Sequence, residues 1–305
     1  MRVIKSLHPT VYFSVLLPIF IFSLAFSSYA VAQDTKLAAA EAAVQARIAK
    51  SGADVAVYFK TLDGKAQWSV RGDDVFHAAS TMKIPVMIEL FHQVQDGKVK
   101  LTDTLVIKDE FHSIVDGSPY MLNASDDSES ELYKAQGQKR TLRELCELMI
   151  TASSNLATNL LIEKLDVENI RATVRGLGGD GMNVVRGVED DKAFQKGLNN
   201  TTTARGLGNL LQAIAEGKAV DAASSHEMVT ILERQKFNEG IPAGLPEGIP
   251  VAHKTGEITK IHHDAAIVFA KRPFILVILV RGLSEKKDSA ALMADISRSL
   301  YEATE

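Results

Sequence analysis

The apolar and polar positions divide the chain into strand-like runs toward its two ends and a helical block between them. Asp54 to Thr61 and Ala66 to Val70 form the first pair of runs, and the Asp63-Gly64 turn sequence between them predicts an antiparallel hairpin. Upstream, an Ala-rich stretch from about Lys36 to Lys50 reads as a helix capped by Thr35 and ended by Gly52. Residues 80–219 read as helices and loops. One helix runs from Ser80 to about Gln95, and a second is opened by Thr141 with Glu144 completing a capping box. A third spans about Asn155 to Lys164, and a fourth is capped by Thr203 and ended by Gly217. Ile249 to Lys254, Ala265 to Ala270 and Phe274 to Val280 return to strands before an amphipathic helix from about Lys287 to Ala303. This order predicts an α+β protein of the α/β sandwich kind: a five-stranded antiparallel sheet, built from both ends and flanked by helices, with an inserted all-helical lobe. The expected boundaries are 33–79 with 220–305 for the α/β lobe and 80–219 for the helical lobe. The most polar stretch, Asn123 to Glu131, is expected to be an exposed loop because it has no apolar face to bury.

The first residues change the picture of where the chain works. Arg2 and Lys5 precede an uncharged apolar run from Val11 to Phe26, which ends in Ala30-Val31-Ala32. That is the layout of a cleavable export signal over residues 1–32, and Pro18 interrupts a run shorter than the ~20 residues of a spanning helix. A periplasmic or secreted protein without a membrane partner is therefore expected. Removing that segment leaves 32 Lys and Arg against 38 Asp and Glu, a charge of −6, which argues against a nucleic-acid partner. A lone cysteine, Cys146, cannot close an internal disulfide; Leu142, Leu145 and Met149 at helical spacing make it a core thiol.

Three short segments carry candidate chemistry. Ser80-Thr81-Met82-Lys83 sets a hydroxyl at a helix start and an amine three residues on, so one turn brings both to one face. The lysine can take the serine's proton if burial or nearby positive charge keeps it partly neutral. Ser153-Ser154-Asn155 lies at the mouth of a helix and offers a hydroxyl to relay a proton and an amide to hold a substrate amide. Lys254-Thr255-Gly256 closes a predicted strand and offers an ammonium and a hydroxyl to a carboxylate, with Gly256 admitting a close backbone approach. Each alone is an ordinary cap or strand end; together and in this order they are specific.

In these three segments the chain resembles the class A β-lactamases, within the wider family of penicillin-recognising serine acyltransferases, over essentially all of its length after the export segment. The resemblance implies a β-lactam substrate, no cofactor and no metal. It implies Ser80 as acylated nucleophile, Lys83 as proton acceptor, Ser153 as proton shuttle, Asn155 as amide ligand, and Lys254 and Thr255 as carboxylate ligands. The oxyanion hole would be the backbone N–H groups of Ser80 and Glu257. A monomer is expected.

The loop Arg186 to Asn200, which should hold the glutamate that activates water for deacylation, departs from the family pattern. Glu189 comes one residue late, Lys192 and Ala193 stand where Leu and Asn would follow it, and Asn200 replaces the aspartate that pairs with the loop arginine. Glu189 is thus either the base or one of three solvated acids with Asp190 and Asp191. The 73 residues from Ser80 to Ser153 are more than the family uses, with the surplus expected in the acidic loop near Asn123 to Gln138. Glu257 would set a negative side chain beside an anionic substrate unless it points away. His262 and His263 are adjacent on a strand and face opposite ways, so they cannot easily grip one ion; His77 and His253 are expected to be structural. Two alternatives stay open: a D-alanyl peptidase or esterase with the same acylation machinery but slow deacylation, and a non-catalytic sensor domain.

Overall fold

A computed structural model describes residues 19–305, with only the backbone given for 19–34. Residues 1–18 of the expected export segment lie outside the described residues. Among the described residues no helix is long and apolar enough to cross a membrane.

The chain begins with α1 (Ile19–Ser51), so Thr35 lies inside a helix rather than capping one; Gly52, with a φ of 68°, ends it as expected. Strands β1 (Asp54–Thr61) and β2 (Gln67–Val70) form the predicted hairpin, and a short β3 (Phe76–His77) leads to a 3₁₀ turn over Ala79–Met82 and helix α2 (Lys83–Gln95). Four short strands, none of them foreseen, then form two ladders. β4 (Thr104–Val106) pairs with β7 (Lys139–Thr141), and β5 (Glu110–His112) pairs with β6 (Pro119–Met121). The helical block continues with α3 (Leu142–Thr151), α4 (Asn155–Leu165), α5 (Val167–Gly176) and the short α6 (Asp191–Gln195). β8 (Thr201–Thr202) pairs back with β3. After α7 (Ala204–Ala215) and α8 (Ala222–Leu232), strands β9 (Val251–Ile258), β10 (Ile261–Val268) and β11 (Phe274–Arg281) lead to α9 (Lys286–Thr304).

Local sequence accounts for several of these boundaries. Thr141 accepts the backbone N–H of Glu144 while Glu144 reaches back to the backbone of Thr141, the reciprocal capping box read from the sequence. Thr203 caps α7 by accepting from Gly206, and Gly217 adopts a φ of 71° just beyond it. The sheet is antiparallel throughout in the order β2-β1-β11-β10-β9, so the last three strands complete what the first two begin.

Both faces of the sheet are covered, because the inward residues of each strand alternate between two apolar cores. Val57, Phe59, Leu276 and Ile278 face Val44 of α1 and Leu292, Ile296 and Leu300 of α9. Ala56, Tyr58, Val277 and Leu279 face Leu207 and Leu211 of α7, and the same core runs on into α2, α3, α4 and α5. Cys146 is buried there, where desolvation raises its thiol pKa. Contrary to expectation, Lys254-Thr255-Gly256 lies in the middle of β9, which runs on to Ile258.

Candidate active site

Ser80 sits in the 3₁₀ turn before α2, not in the first turn of an α-helix as expected, and Ala79 before it has a φ of 45°. Strand β9 lies against this turn: a β-carbon on Gly256 would come within 3.1 Å of the backbone nitrogens of Ser80 and Thr81. A glycine there is what allows the strand and the turn to meet.

Lys83 opens α2 and is fully buried. Its Nζ donates to the carbonyl of Ser153 at 2.7 Å, to Asn155 Oδ1 at 2.9 Å and to Ser153 Oγ at 3.2 Å. Burial pulls its pKa down to about 7, against the opposing charges of Asp127 and Glu189. Near neutral pH the amine is thus divided between its charged and neutral forms. From the other side, Lys254 Nζ donates to Ser153 Oγ at 3.0 Å and to the carbonyl of Thr255 at 2.8 Å. Burial, and then the neighbouring charge of Lys83, hold it well below the usual lysine range. Ser153 Oγ is thus within hydrogen-bond reach of both lysines.

Asn155 lies at the centre of the arrangement. Its Oδ1 accepts from Lys83, and its Nδ2 donates to Glu189 Oε1 at 2.7 Å. Glu189 is half-buried, and desolvation followed by the charges of Asp127 and Asp126 raises its pKa, against the hydrogen bond from Asn155. The three adjacent acids meet different fates: Glu189 faces the cleft, Asp190 is buried, and Asp191 is exposed. Ala79, Ser153 and Glu189 are three of the six non-glycine residues with positive φ among the described residues, so left-handed backbone concentrates at this site.

The loop that carries Glu189 is held in ways its sequence did not suggest. Arg186 forms no ion pair within the loop; its guanidinium donates to the carbonyls of Leu198 and Gly187 and to Asn199 Oδ1. Asn200 brackets the backbone instead, accepting from the N–H groups of Val185 and Arg186 and donating to the carbonyl of Arg186. Asn159, one turn beyond Asn155 on α4, accepts from Val188 N at 2.7 Å and donates to Val188 O at 3.0 Å. Gly187 permits this approach, since a β-carbon there would lie 2.6 Å from Asn159 Oδ1. Asp190 accepts from Ser113 Oγ and the backbone of Ile114 in the connection between β5 and β6, so that hairpin braces the loop from behind.

Two further residues escaped sequence reasoning. Asp127, in the stretch expected to be exposed, is buried against the start of α4, and Tyr133 donates to it. Lys286 bridges Glu257 at 2.7 Å and Glu239 at 2.6 Å, which turns the Glu257 charge toward a cation at the rim. The only early signal for Asn159 is its place one helical turn after Asn155. Nothing in the polar run around Asp127 marked that carboxylate out.

The four histidines read from the sequence have hydrogen-bond partners within the fold. His77 Nδ1 lies 3.0 Å from the backbone N–H of Ala79, His262 meets Ser289 and His263 meets the carbonyl of His77. His253 lies between Asp264 at 2.9 Å and Asn238 at 3.1 Å. Thr255 and Glu257 line one small cavity with Ser80, Ser153 and Asn155, of about 130 Å³. A second, of about 340 Å³, opens beside Ser80 between His77, Phe194, Glu189 and Ile258. The cleft therefore has Ser80 where a polar and a partly apolar compartment meet.

A model of the β-lactamase enzyme family matches residues 39–304. The chain belongs to that family. Among its curated relatives is the β-lactamase CARB-3 of Pseudomonas aeruginosa, 26% identical over 247 residues that make up 80% of this chain and 78% of that protein. The β-lactamase of Sphaerobacter thermophilus superposes with a TM-score of 0.73 at 28% identity, over 87% of this chain and 95% of that one. An acyl-enzyme complex of a PBP-A mutant with penicillin G does so with a TM-score of 0.75 at 27% identity, over 88% and 97% of the two chains. Within this β-lactamase family the chain sides with class A.

Proposed function

We propose that this protein is a serine β-lactamase, exported from the cytoplasm and acting as a monomer without metal or cofactor. The observation that carries this reading is one continuous hydrogen-bonded line, Glu189–Asn155–Lys83–Ser153–Lys254, along a cleft that opens on Ser80. Neutral Lys83 takes the proton of Ser80 as its Oγ attacks the lactam carbonyl. The backbone N–H groups of Ser80 and Glu257 hold the oxyanion, and Ser153 delivers a proton to the departing nitrogen. Lys254 and Thr255 receive the substrate carboxylate, whose negative charge restores the ammonium that burial disfavours. Asn155 holds the side-chain amide. Glu189 then activates water against the ester on Ser80. We propose further that the chain works as two lobes, 33–79 with 220–305 and 80–219, with this cleft at their junction.

A peptidase-like reading, in which the acyl-enzyme forms but persists, has one observation in its favour. Ala193 stands where the resemblance would place an asparagine after the glutamate, and PBP-A is among the similar structures. Mass spectrometry of the protein mixed with benzylpenicillin, followed from seconds to hours, separates the two. Transient acylation of Ser80 that becomes long-lived in Glu189→Gln is expected of a β-lactamase with Glu189 as its base. A wild-type adduct that persists for hours supports the peptidase-like reading, and the absence of both adduct and hydrolysis would remove both.

A further inference from the structure

The residues between β6 and β7 are where the surplus length from Ser80 to Ser153 is expected, and one of them reaches the start of α4 beside the cleft. Asp127 is 8% exposed although its neighbours in sequence are polar. Its Oδ2 accepts from the backbone N–H groups of Asn155 and Leu156, both at 2.9 Å, from Tyr133 OH at 3.1 Å and from Ser154 Oγ at 3.3 Å. Its Oδ1 accepts from the backbone of Glu129, closing the loop on itself. The first N–H groups of α4 have no partners within the helix, and a carboxylate meets both their hydrogen bonds and the positive end of the helix dipole. Ser154 cannot do this alone, because its hydroxyl is already the N-cap acceptor for Ala157.

What depends on this clamp is the residue next to it. Ser153 is held at a φ of 59°, and Asn155 must present Oδ1 to Lys83 and Nδ2 to Glu189 at once. If α4 slipped or unwound by one residue, both contacts would be lost.

We propose that Asp127 is a positioning residue for both halves of the reaction: an acid supplied by the inserted loop that fixes the Ser153–Asn155 turn, and through it the placement of Lys83 and Glu189. This rests on the serine hydrolase reading above. It also makes this loop part of the active site rather than an exposed excursion from it. The groups that share this neighbourhood are Lys83 and Glu189 from across the cleft, Tyr133 and Asp126 from the loop itself, and Asp109 near Tyr133. The charge of Asp127 raises the pKa of Lys83, so its removal has a sign that mere loosening does not. The neutral amine becomes available at lower pH.

The test is single-turnover acylation of Ser80 by benzylpenicillin as a function of pH. The proteins are wild type, Asp127→Asn, Asp127→Ser and, as a control on the same loop, Glu131→Gln, whose exposed carboxylate pairs with Lys134. In a folded neutral variant the plateau rate is expected to fall roughly tenfold or more, the scale of a lost charge-assisted hydrogen bond. The acid limb should move to lower pH, and release of the acyl group should slow as well. Glu131→Gln should match wild type. An unmoved acid limb and an unchanged plateau in a folded variant would overturn the proposal. So would failure of both Asp127 variants to fold while Glu131→Gln folds, which would leave Asp127 a purely structural role. Wild type that never acylates would instead sink the serine hydrolase reading itself.

Discussion

Lys83 combines two demands that oppose each other at the level of a single side chain. Its position three residues after Ser80 was readable because an amine in the next turn shares a face with the hydroxyl, but its lowered pKa was not. That property comes from complete burial among Ser153, Asn155 and the α2 backbone, which brings its pKa down to about 7. The sign of the consequence is definite. Below that value the amine is protonated and cannot accept the proton of Ser80, so acylation should rise with pH through about 7 and level off above it. Stopped-flow acylation across pH 5 to 9 measures this, and a flat profile over that range would rule out Lys83 as the titrating base. On the proposed mechanism Glu189 acts as a carboxylate, so its raised pKa predicts that deacylation falls off on acidification sooner than an exposed glutamate would allow, which the pH profile of acyl-group release measures. The residues around these two were less legible. Asn155 was found by motif and Asn159 was not, because an asparagine one turn along a helix is usually solvated. Glu257 was flagged for its charge, yet only the position of Lys286 on α9 decides where that charge points.

At the scale of elements, the loop Arg186 to Asn200 is secured by partners outside itself as well as by its own hydrogen bonds. Arg186 makes no ion pair with an aspartate of the loop, and the hairpin of β5 and β6 binds Asp190 through Ser113 and Ile114, with Lys192 reaching Asp116. Tyr120 adds a hydrogen bond to the carbonyl of Val188. Because Asp190 follows Glu189 directly, fixing it orients the left-handed backbone that aims Glu189 at Asn155. Asp190→Ala leaves Ser113 and the Ile114 N–H without that acceptor. It should cost about 1–3 kcal/mol of stability and slow deacylation more than acylation. Thermal melting with burst-phase kinetics tests this; equal loss in both steps would place the damage elsewhere. The capping box at Thr141, the cap at Thr203 and the glycine ends of α1 and α7 were all readable, since each depends on residues within four positions. The hairpin and ladders of residues 104–141 were missed because their strands are three residues long, too short for alternation to register.

For the whole molecule, the decisive feature is that one apolar core is shared by the sheet and the helical block. Tyr58 of β1, Val277 and Leu279 of β11, Leu207 and Leu211 of α7 and Met87 and Leu90 of α2 belong to the same buried cluster. α7 packs on β1, β10 and β11 as well as on α8 and so joins the sheet to the helical block. Unfolding should therefore be a single cooperative transition, and Leu207→Ala should cost about 2–5 kcal/mol of stability without splitting it. Calorimetry showing two separate transitions would contradict this. By itself the sequence determined the five antiparallel strands of the main sheet, its construction from both ends of the chain and the three motifs, because periodicity, caps and short spacings act over a turn or two of chain. Only the tertiary structure decided that Lys83 is buried enough to titrate near neutrality, that Glu189 rather than Asp190 or Asp191 meets Asn155, and that Asp127 closes the N-terminus of α4. Those outcomes depend on desolvation and on contacts between residues far apart in the chain, which no local pattern encodes.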